Sequence, residues 1–185
     1  MRARDKRKRW TLATTGLVAA LVGLAALGTV LIRVPIPATT GYFNIGDVFV
    51  ILAGLWLGPL GGLVVGAVGP TIADAIGFPQ FIPATFVTKG CEGLFVGLIA
   101  GQSDTLRRKA IAAAVGGATI VVGYFVFEAY IYPALAVRFP VFAVTDMGAA
   151  LVELLPNTVQ GIIGAAGGLA LWKTVSGYDP STAPK

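Results

Sequence analysis

Long runs of apolar residues alternate with short breaks rich in proline and glycine along most of the 185-residue chain. A helix that crosses a bilayer needs roughly 20 apolar residues, and shorter runs can cross when neighbouring helices support them. The breaks have the composition of turns and helix ends. The sequence therefore predicts an all-α integral membrane protein with six transmembrane helices: Trp10–Arg33, Ile45–Leu57, Leu60–Ile76, Pro83–Gly101, Lys109–Tyr132 and Gly148–Thr174.

The overall composition agrees with this pattern. Hydrophobic residues make up 56% of the chain and charged residues only 12%, whereas soluble domains contain about 25% charged residues. Little length remains for a soluble domain. We predict a basic segment at 1–9, a six-helix transmembrane domain at 10–174 and a short tail at 175–185.

Cationic residues outside the predicted spans or at their ends are distributed unevenly. With six crossings, both termini lie on one side together with Arg2, Arg4, Lys6, Arg7, Lys8, Arg9, Arg107, Arg108, Lys109, Lys173 and Lys185. Arg33 and Arg138 alone lie in the opposite loops. Loops rich in lysine and arginine stay in the cytoplasm, so both termini are predicted to be cytoplasmic.

Two features of the composition exclude classes of function. The chain has no histidine and a single cysteine, which rules out an intrachain disulfide and histidine-metal chemistry. We predict no metal site and no cofactor. The net charge of +5 comes from the N-terminal cluster, which indicates contact with the anionic lipids of the bilayer and no nucleic-acid partner.

Two charges interrupt the fourth predicted helix. Lys89 and Glu92 are three residues apart, so they share one helix face. A charge near a bilayer centre costs about 2.5–3.5 kcal/mol on insertion scales and therefore indicates a neutralising pair, an interior cavity or both. One interpretation is an internal ion pair that fixes helix packing. The other is that the pair lines a pocket and contacts a bound solute.

The last two predicted helices carry polar stripes at spacings that place their members on one face. The fifth carries Tyr124, Glu128 and Tyr132, and the sixth carries Glu153, Asn157 and Gln160. Buried polar groups need hydrogen-bond partners. The polar residues of the fourth, fifth and sixth predicted helices find such partners most simply when the three helices face a shared space. Such a lining suits a small, flat, heteroaromatic solute with several hydrogen-bonding positions.

Two aspartates stand at predicted helix starts. Asp47 is expected to cap the second helix and Asp146 the sixth.

The predicted outer loops are Val34–Asn44, Gly77–Ile82 and Ala134–Thr145. They are either ordinary connectors or covers that fold over a cavity.

Small residues recur along the first predicted helix. Gly16 and Ala20, and likewise Ala19 and Gly23, are four residues apart, a spacing that allows close approach of two helix backbones. This face serves either packing within the protein or docking of another one.

The order of several motifs resembles the substrate-binding S components of energy-coupling factor (ECF) vitamin transporters, most closely the riboflavin-type or hydroxymethylpyrimidine-type group. The motifs are Gly41–Asp47, Leu57–Gly62, Gly66–Asp74 and Pro83–Gly93. The resemblance implies a six-helix protein of a prokaryotic plasma membrane that captures a vitamin or vitamin precursor at the outer side. The candidate ligands are riboflavin, hydroxymethylpyrimidine or another thiamine-related compound, and a pyridoxine-like compound.

The resemblance also implies partners and site residues. A transmembrane coupling protein and two cytoplasmic ATPases are expected, with the face formed by Gly16, Ala19, Ala20 and Gly23 against the coupling protein. The implied pocket is closed by the loop near Tyr42 and Asn44, and its solute is surrounded by Lys89, Glu92, Glu128 and Asn157. Tyr124, Glu153 and Gln160 complete the candidate substrate-binding residues.

No G-x-x-x-x-G-K-[ST] motif is present, so ATP hydrolysis is expected on partner chains and not on this one. Two other functions remain open. Glu92, Glu128 and Glu153 could support an intramembrane enzyme, since carboxylates act as general acids and bases. The other is a stand-alone secondary transporter, driven by an ion gradient that acts through Lys89 and Glu92. Many secondary transporters are built from internal repeats, and no repeat is visible in this sequence.

Overall fold

The computed structural model describes residues 11–37, 39–101, 103 and 105–178. The predicted basic segment at 1–9, the predicted first helical residue Trp10 and the part of the tail beyond 178 lie outside the described residues.

The described chain is a bundle of helices with one small antiparallel hairpin. The helices are α1 (Leu12–Leu31), α2 (Asp47–Leu57), α3 (Pro59–Gly77), α4 (Ile82–Ala100), α5 (Leu106–Val126), α6 (Tyr132–Ala136) and α7 (Met147–Val175). Strands β1 (Val34–Pro35) and β2 (Tyr42–Phe43) form the hairpin between α1 and α2. A π-helical segment, Phe127–Ile131, joins α5 to α6, and 3₁₀ turns occupy Pro79–Phe81 and Pro140–Phe142.

All six predicted helices are present, with ends that differ from the prediction by a few residues. Within the described residues, five helical segments are long and apolar enough to cross a membrane: Leu12–Leu31, Pro59–Gly77, Pro79–Ala100, Leu106–Ala136 and Met147–Val175. The structure thus confirms an all-helical membrane protein. Helix α2 has 11 residues and spans about 16 Å, against a hydrocarbon core of about 30 Å. The count of six crossings and the cytoplasmic side of the termini therefore stay predictions.

Glycines set the distance between α3 and α4. A Cβ atom placed on Gly62 would overlap the backbone carbonyl of Gly93, and one placed on Gly93 would overlap that of Gly62. The two backbones therefore touch, as small residues allow in membrane helix pairs. Gly58 has a φ of 85° and makes the tight turn from α2 into α3, a conformation that favours glycine.

The two ends of the bundle differ in their packing. One end carries the β1–β2 hairpin, the C-terminal end of α3 and the N-terminal ends of α4 and α7, and we call it the hairpin end. An aromatic cluster around Phe81 and Tyr132 packs there, while the main aliphatic core lies along α1, α2 and the other half of the bundle.

Candidate functional site

A polar cavity of about 20 Å³ lies at the hairpin end. Its lining comes from the hairpin, α3, α4, the α5–π segment and α7, and consists of Gly41, Tyr42, Asp74, Phe81, Thr85, Tyr124, Glu128, Glu153, Asn157 and Gln160. A cavity of this size has room for about one water molecule. A solute with an aromatic ring can therefore enter only when lining side chains or the hairpin move outward.

Six of the nine substrate-binding residues expected from sequence line this cavity: Tyr42, Tyr124, Glu128, Glu153, Asn157 and Gln160. Asn44, Lys89 and Glu92 are buried nearby but do not line it. The expected list omitted Gly41, Asp74, Phe81 and Thr85. The sequence contained a signal for Asp74, because a carboxylate within the apolar run of α3 is costly in a membrane and therefore indicates a functional position. Thr85 lies one turn before Lys89 and gave a weaker signal.

Tyr42 ties the hairpin to α3. Its hydroxyl donates a hydrogen bond to Oδ1 of Asp74, and its ring lies 4.7 Å from the ring of Phe78 between centroids. The Arg33 guanidinium lies 4.6 Å from the Tyr42 ring centroid and 4.8 Å from that of Phe78, within cation–π range. Burial, followed by the charge of Asp74, raises the pKa of the Tyr42 hydroxyl. Tyr42 therefore remains a proton donor at neutral pH.

A second tie joins the chain after β2 to α7. The backbone N–H of Asn44 donates to Oε1 of Gln160 at 2.8 Å, and the Asn44 amide nitrogen lies 3.3 Å from the same oxygen. Oδ1 of Asn44 accepts from the Gly46 backbone N–H at 2.9 Å and from the Thr29 hydroxyl of α1 at 3.3 Å. Hydrogen bonds thus connect the cavity residue Gln160 to α1 through Asn44.

The prediction that Lys89 pairs with Glu92 is wrong, because Lys89 pairs with a different carboxylate. Lys89 forms its salt bridge with Asp47 of α2, and both side chains are almost fully buried. Side chains on a helix lean toward its N-terminus, so Lys89 extends away from Glu92, and there it meets the start of α2. Glu92 interacts electrostatically with both residues, but neither of its oxygens has a hydrogen-bond partner among the described residues.

The expected capping role of Asp47 is also wrong. Asp47 is the first residue of α2, and Gly46 holds the cap position without a side-chain hydrogen bond. The Asp47 carboxylate instead accepts from the Lys89 ammonium and, at 2.7 Å, from the Gln160 amide nitrogen. The corresponding prediction for Asp146 is confirmed, since its carboxylate accepts from the backbone N–H of Ala149 at 2.8 Å.

Glu128 and Glu153 both line the cavity. They are 1% and 4% exposed and close enough to interact directly. Glu128 lies in the π-helical segment, a distortion that often marks functional sites because it re-aims side chains. The Glu153 carboxylate packs against the backbone of Gly41, where a Cβ atom would overlap both of its oxygens.

Tyr124 and Tyr132, whose spacing predicts one polar face, make different hydrogen bonds. The Tyr124 hydroxyl lies 3.0 Å from that of Thr85 in the cavity wall. Tyr132 lies outside the lining: its hydroxyl donates to the carbonyl of Gln80 at 2.9 Å and accepts from the N–H of Ala84 at 3.2 Å. Both tyrosines nevertheless pack in the aromatic cluster around Phe81.

The small residues of α1 lie on the outside of the bundle. Gly16, Ala19, Ala20 and Gly23 are all exposed, and a Cβ atom on either glycine would meet nothing within 4 Å. The buried face of α1 is formed by other residues, including Val18, Leu21 and Ala25. These four small residues therefore do not serve packing against the described part of the protein, which was one of the two interpretations of their spacing.

Comparison with known proteins provides independent information. The sequence model of a family described as "ECF-type riboflavin transporter, S component" matches residues 7–176. A protein of Pyrococcus woesei, described as "Uncharacterized protein in gap 3′region", is 36% identical over 136 residues. That match covers 74% of this chain and 83% of the Pyrococcus protein.

Proposed function

This chain belongs to the family of ECF-type riboflavin transporter S components, and from that premise we propose that it captures a vitamin or vitamin precursor in the cavity at the hairpin end. The captured compound passes across the membrane when the chain works with a transmembrane coupling protein and two ATPases on other chains. The side from which the ligand enters is the outer face of a prokaryotic plasma membrane.

The observation that carries the proposal is the convergence of polar side chains from separate helices on one cavity inside an apolar bundle. Carboxylates, amides and phenol groups from α3, α5, α7 and the hairpin line it together with Phe81. Polar groups at membrane depth are costly and indicate a functional site. A cavity with aromatic walls and a few convergent polar groups is typical of small-molecule sites.

The hairpin is the element that opens the cavity in this proposal. Side-chain hydrogen bonds hold it closed: Tyr42 to Asp74, Asn44 to Gln160, and the Thr40 hydroxyl to the Val144 carbonyl at 3.0 Å. A few such bonds can break and re-form at a modest net cost, since each contributes only about 0.5–1.5 kcal/mol. The neighbouring helices need not separate for the ligand to enter.

The purified full chain is expected to bind a vitamin-like ring compound without ATP and to return it unchanged. Riboflavin, thiamine, its hydroxymethylpyrimidine precursor and pyridoxine form the test panel, and thermal denaturation in detergent is the first measurement. We expect at least one compound to raise the melting temperature, because binding to the folded state alone stabilises it. Mass spectrometry of compounds that copurify with the protein supplements the panel.

Asn157→Ala tests whether the ligand binds in this cavity, because Asn157 lines it. Thr158→Ala is the control, because Thr158 is the adjacent residue and is exposed. Asn157→Ala should weaken binding about tenfold or more through loss of hydrogen bonds. Thr158→Ala should leave it unchanged. Chemical conversion of the ligand, or uptake into vesicles that contain this chain alone, would contradict the proposal and favour an enzyme or an independent transporter.

We also propose that the exposed face of Gly16, Ala19, Ala20 and Gly23 docks on the coupling protein. Ala20→Trp is expected to reduce coupled uptake strongly, because the large ring prevents close approach of two helices. Ligand affinity of the isolated chain should not change. The measurement is uptake into proteoliposomes that contain this chain, the coupling protein and the ATPases.

Leu98→Trp is the matched control for this docking surface. Leu98 of α4 is 56% exposed and lies on a different helix, so its replacement adds the same ring at another lipid-facing position. Equal loss of uptake in both variants, or normal uptake with Ala20→Trp, would refute the assignment of this face.

A further inference from the structure

The charge of the cavity lining is one-sided. Asp74, Glu128 and Glu153 contribute three carboxylates, each at least nine-tenths buried. No lysine or arginine is among the described residues of the lining. Buried carboxylates require a compensating positive charge, a set of hydrogen-bond donors or a proton.

The nearest cations are already engaged elsewhere. Lys89 is paired with Asp47, and its ammonium lies 5.6 Å from the ring centroid of Tyr124, outside the cavity. Arg33 lies against the rings of Tyr42 and Phe78 and donates to the carbonyl of Ala73 at 3.2 Å. Neither cation is positioned to neutralise the pair formed by Glu128 and Glu153.

Donors from the protein do not satisfy the pair either. Oε2 of Glu128 is buried and accepts no hydrogen bond from the described part of the chain. The Glu153 carboxylate lies within hydrogen-bonding reach of Glu128, and the two groups repel each other when both are ionised. Uncompensated carboxylates in the wall of a cavity require a proton or a ligand that supplies the missing charge, and the cavity that Glu128 and Glu153 line is where such a ligand would bind.

Two backbone features hold the carboxylates in this arrangement. The π turn at Phe127–Ile131 places Glu128 at the cavity. The absence of a side chain at Gly41 allows the hairpin backbone to lie against the Glu153 carboxylate. Both features are local departures from regular structure, and both serve the same pair of residues.

We propose that the ligand of this cavity carries a positive charge, as a protonated amine or a cationic ring nitrogen, which Glu128 and Glu153 bracket. The inference rests on the proposed function and specifies its substrate class. The rings of Tyr124 and Phe81 complete the site, because aromatic faces stack on flat rings and attract cations. This chemistry differs from that of the neutral ring system named in the family's description.

Two pairs of compounds test the charge with little change in size. Pyridoxamine and pyridoxine differ by an ammonium in place of a hydroxyl group. Thiamine carries a thiazolium cation, whereas thiochrome, its oxidised tricyclic form, is neutral. The purified full chain is titrated with all four in detergent at neutral pH. We expect the charged member of at least one pair to bind at least tenfold more tightly than its neutral counterpart.

Charge-neutralising variants locate the effect. Glu128→Gln and Glu153→Gln should each remove most of the preference for the charged compound, measured as the ratio of its affinity to that of its neutral counterpart. Glu92→Gln is the matched control, because Glu92 is a buried carboxylate that does not line the cavity. Retention of the preference in both cavity variants would overturn the assignment of Glu128 and Glu153.

The outcomes also separate this inference from the proposed function. Tighter or equal binding of the neutral compounds, including riboflavin, would overturn the cationic class and leave vitamin capture intact. In that case the two glutamates share a proton. Failure of every compound to bind at millimolar concentration, with no small molecule copurifying, would count against both.

Discussion

Replacing Lys89 with methionine is expected to lower the free energy of unfolding by about 3–5 kcal/mol, the cost typical of breaking a buried ion pair from one side. Lys89 is 1% exposed and Asp47 is fully buried. Without the ammonium, the Asp47 carboxylate loses its only charged partner of opposite sign in the described structure, and Glu92 lies close to it. Thermal denaturation of the purified protein in detergent, followed by tryptophan fluorescence, measures the loss.

A second substitution identifies the cause. Adding Asp47→Asn to Lys89→Met should restore much of the lost stability, because the buried negative charge is removed together with its partner. Lys173→Met is the control for methionine substitution at an exposed lysine of α7 and should change stability by less than about 0.5 kcal/mol. A double variant that is no more stable than Lys89→Met would show that the ion pair is not what Lys89 contributes.

Gln160→Leu is expected to have the other large effect, on both stability and ligand affinity. Gln160 accepts from the Asn44 backbone N–H at 2.8 Å and donates to Oδ2 of Asp47 at 2.7 Å. Leucine fills a similar volume but leaves both groups buried without these partners, at about 1–3 kcal/mol each. We expect a lower melting temperature and about tenfold weaker ligand binding, since the chain after β2 loses its tie to α7.

Hydrogen–deuterium exchange of the hairpin distinguishes this local effect from general destabilisation. Amide exchange at 42–46 should increase in Gln160→Leu well before the rest of the bundle is affected. Val159→Ala is the control, because Val159 is the neighbouring residue of α7 and is 43% exposed. An unchanged exchange rate in the hairpin would mean that Gln160 does not hold this loop in place.

The helices could be predicted from sequence because their causes are local. An apolar run of sufficient length must form a helix in lipid, where each backbone N–H and C=O needs a partner within its own segment. Proline and glycine at the breaks determined the ends, as for Gly58 between α2 and α3. The spacing of Glu153, Asn157 and Gln160 placed them on one face for the same reason, and all three line the cavity.

The partners of the buried charges could not be predicted in this way. Spacing along α4 indicated Glu92 as the partner of Lys89, but the structure pairs Lys89 with Asp47, which is 42 residues away in sequence. Whether two groups on different helices meet depends on the rotation and height of each helix. For α2 and α4, close contacts such as that of Gly54 with the Gly93 carbonyl help to set these quantities, and no single segment contains that information.

The sequence by itself thus determined that this protein is a bundle of membrane helices and which polar residues share a helix face, because a regular helix fixes the geometry of residues three and four apart. Only the tertiary structure decided that Asp47 and not Glu92 pairs with Lys89, that Asp74 and Thr85 belong to the cavity, and that Tyr132 does not. Contacts between segments that are distant in sequence determine these features, and these contacts arise from the packing of the whole bundle.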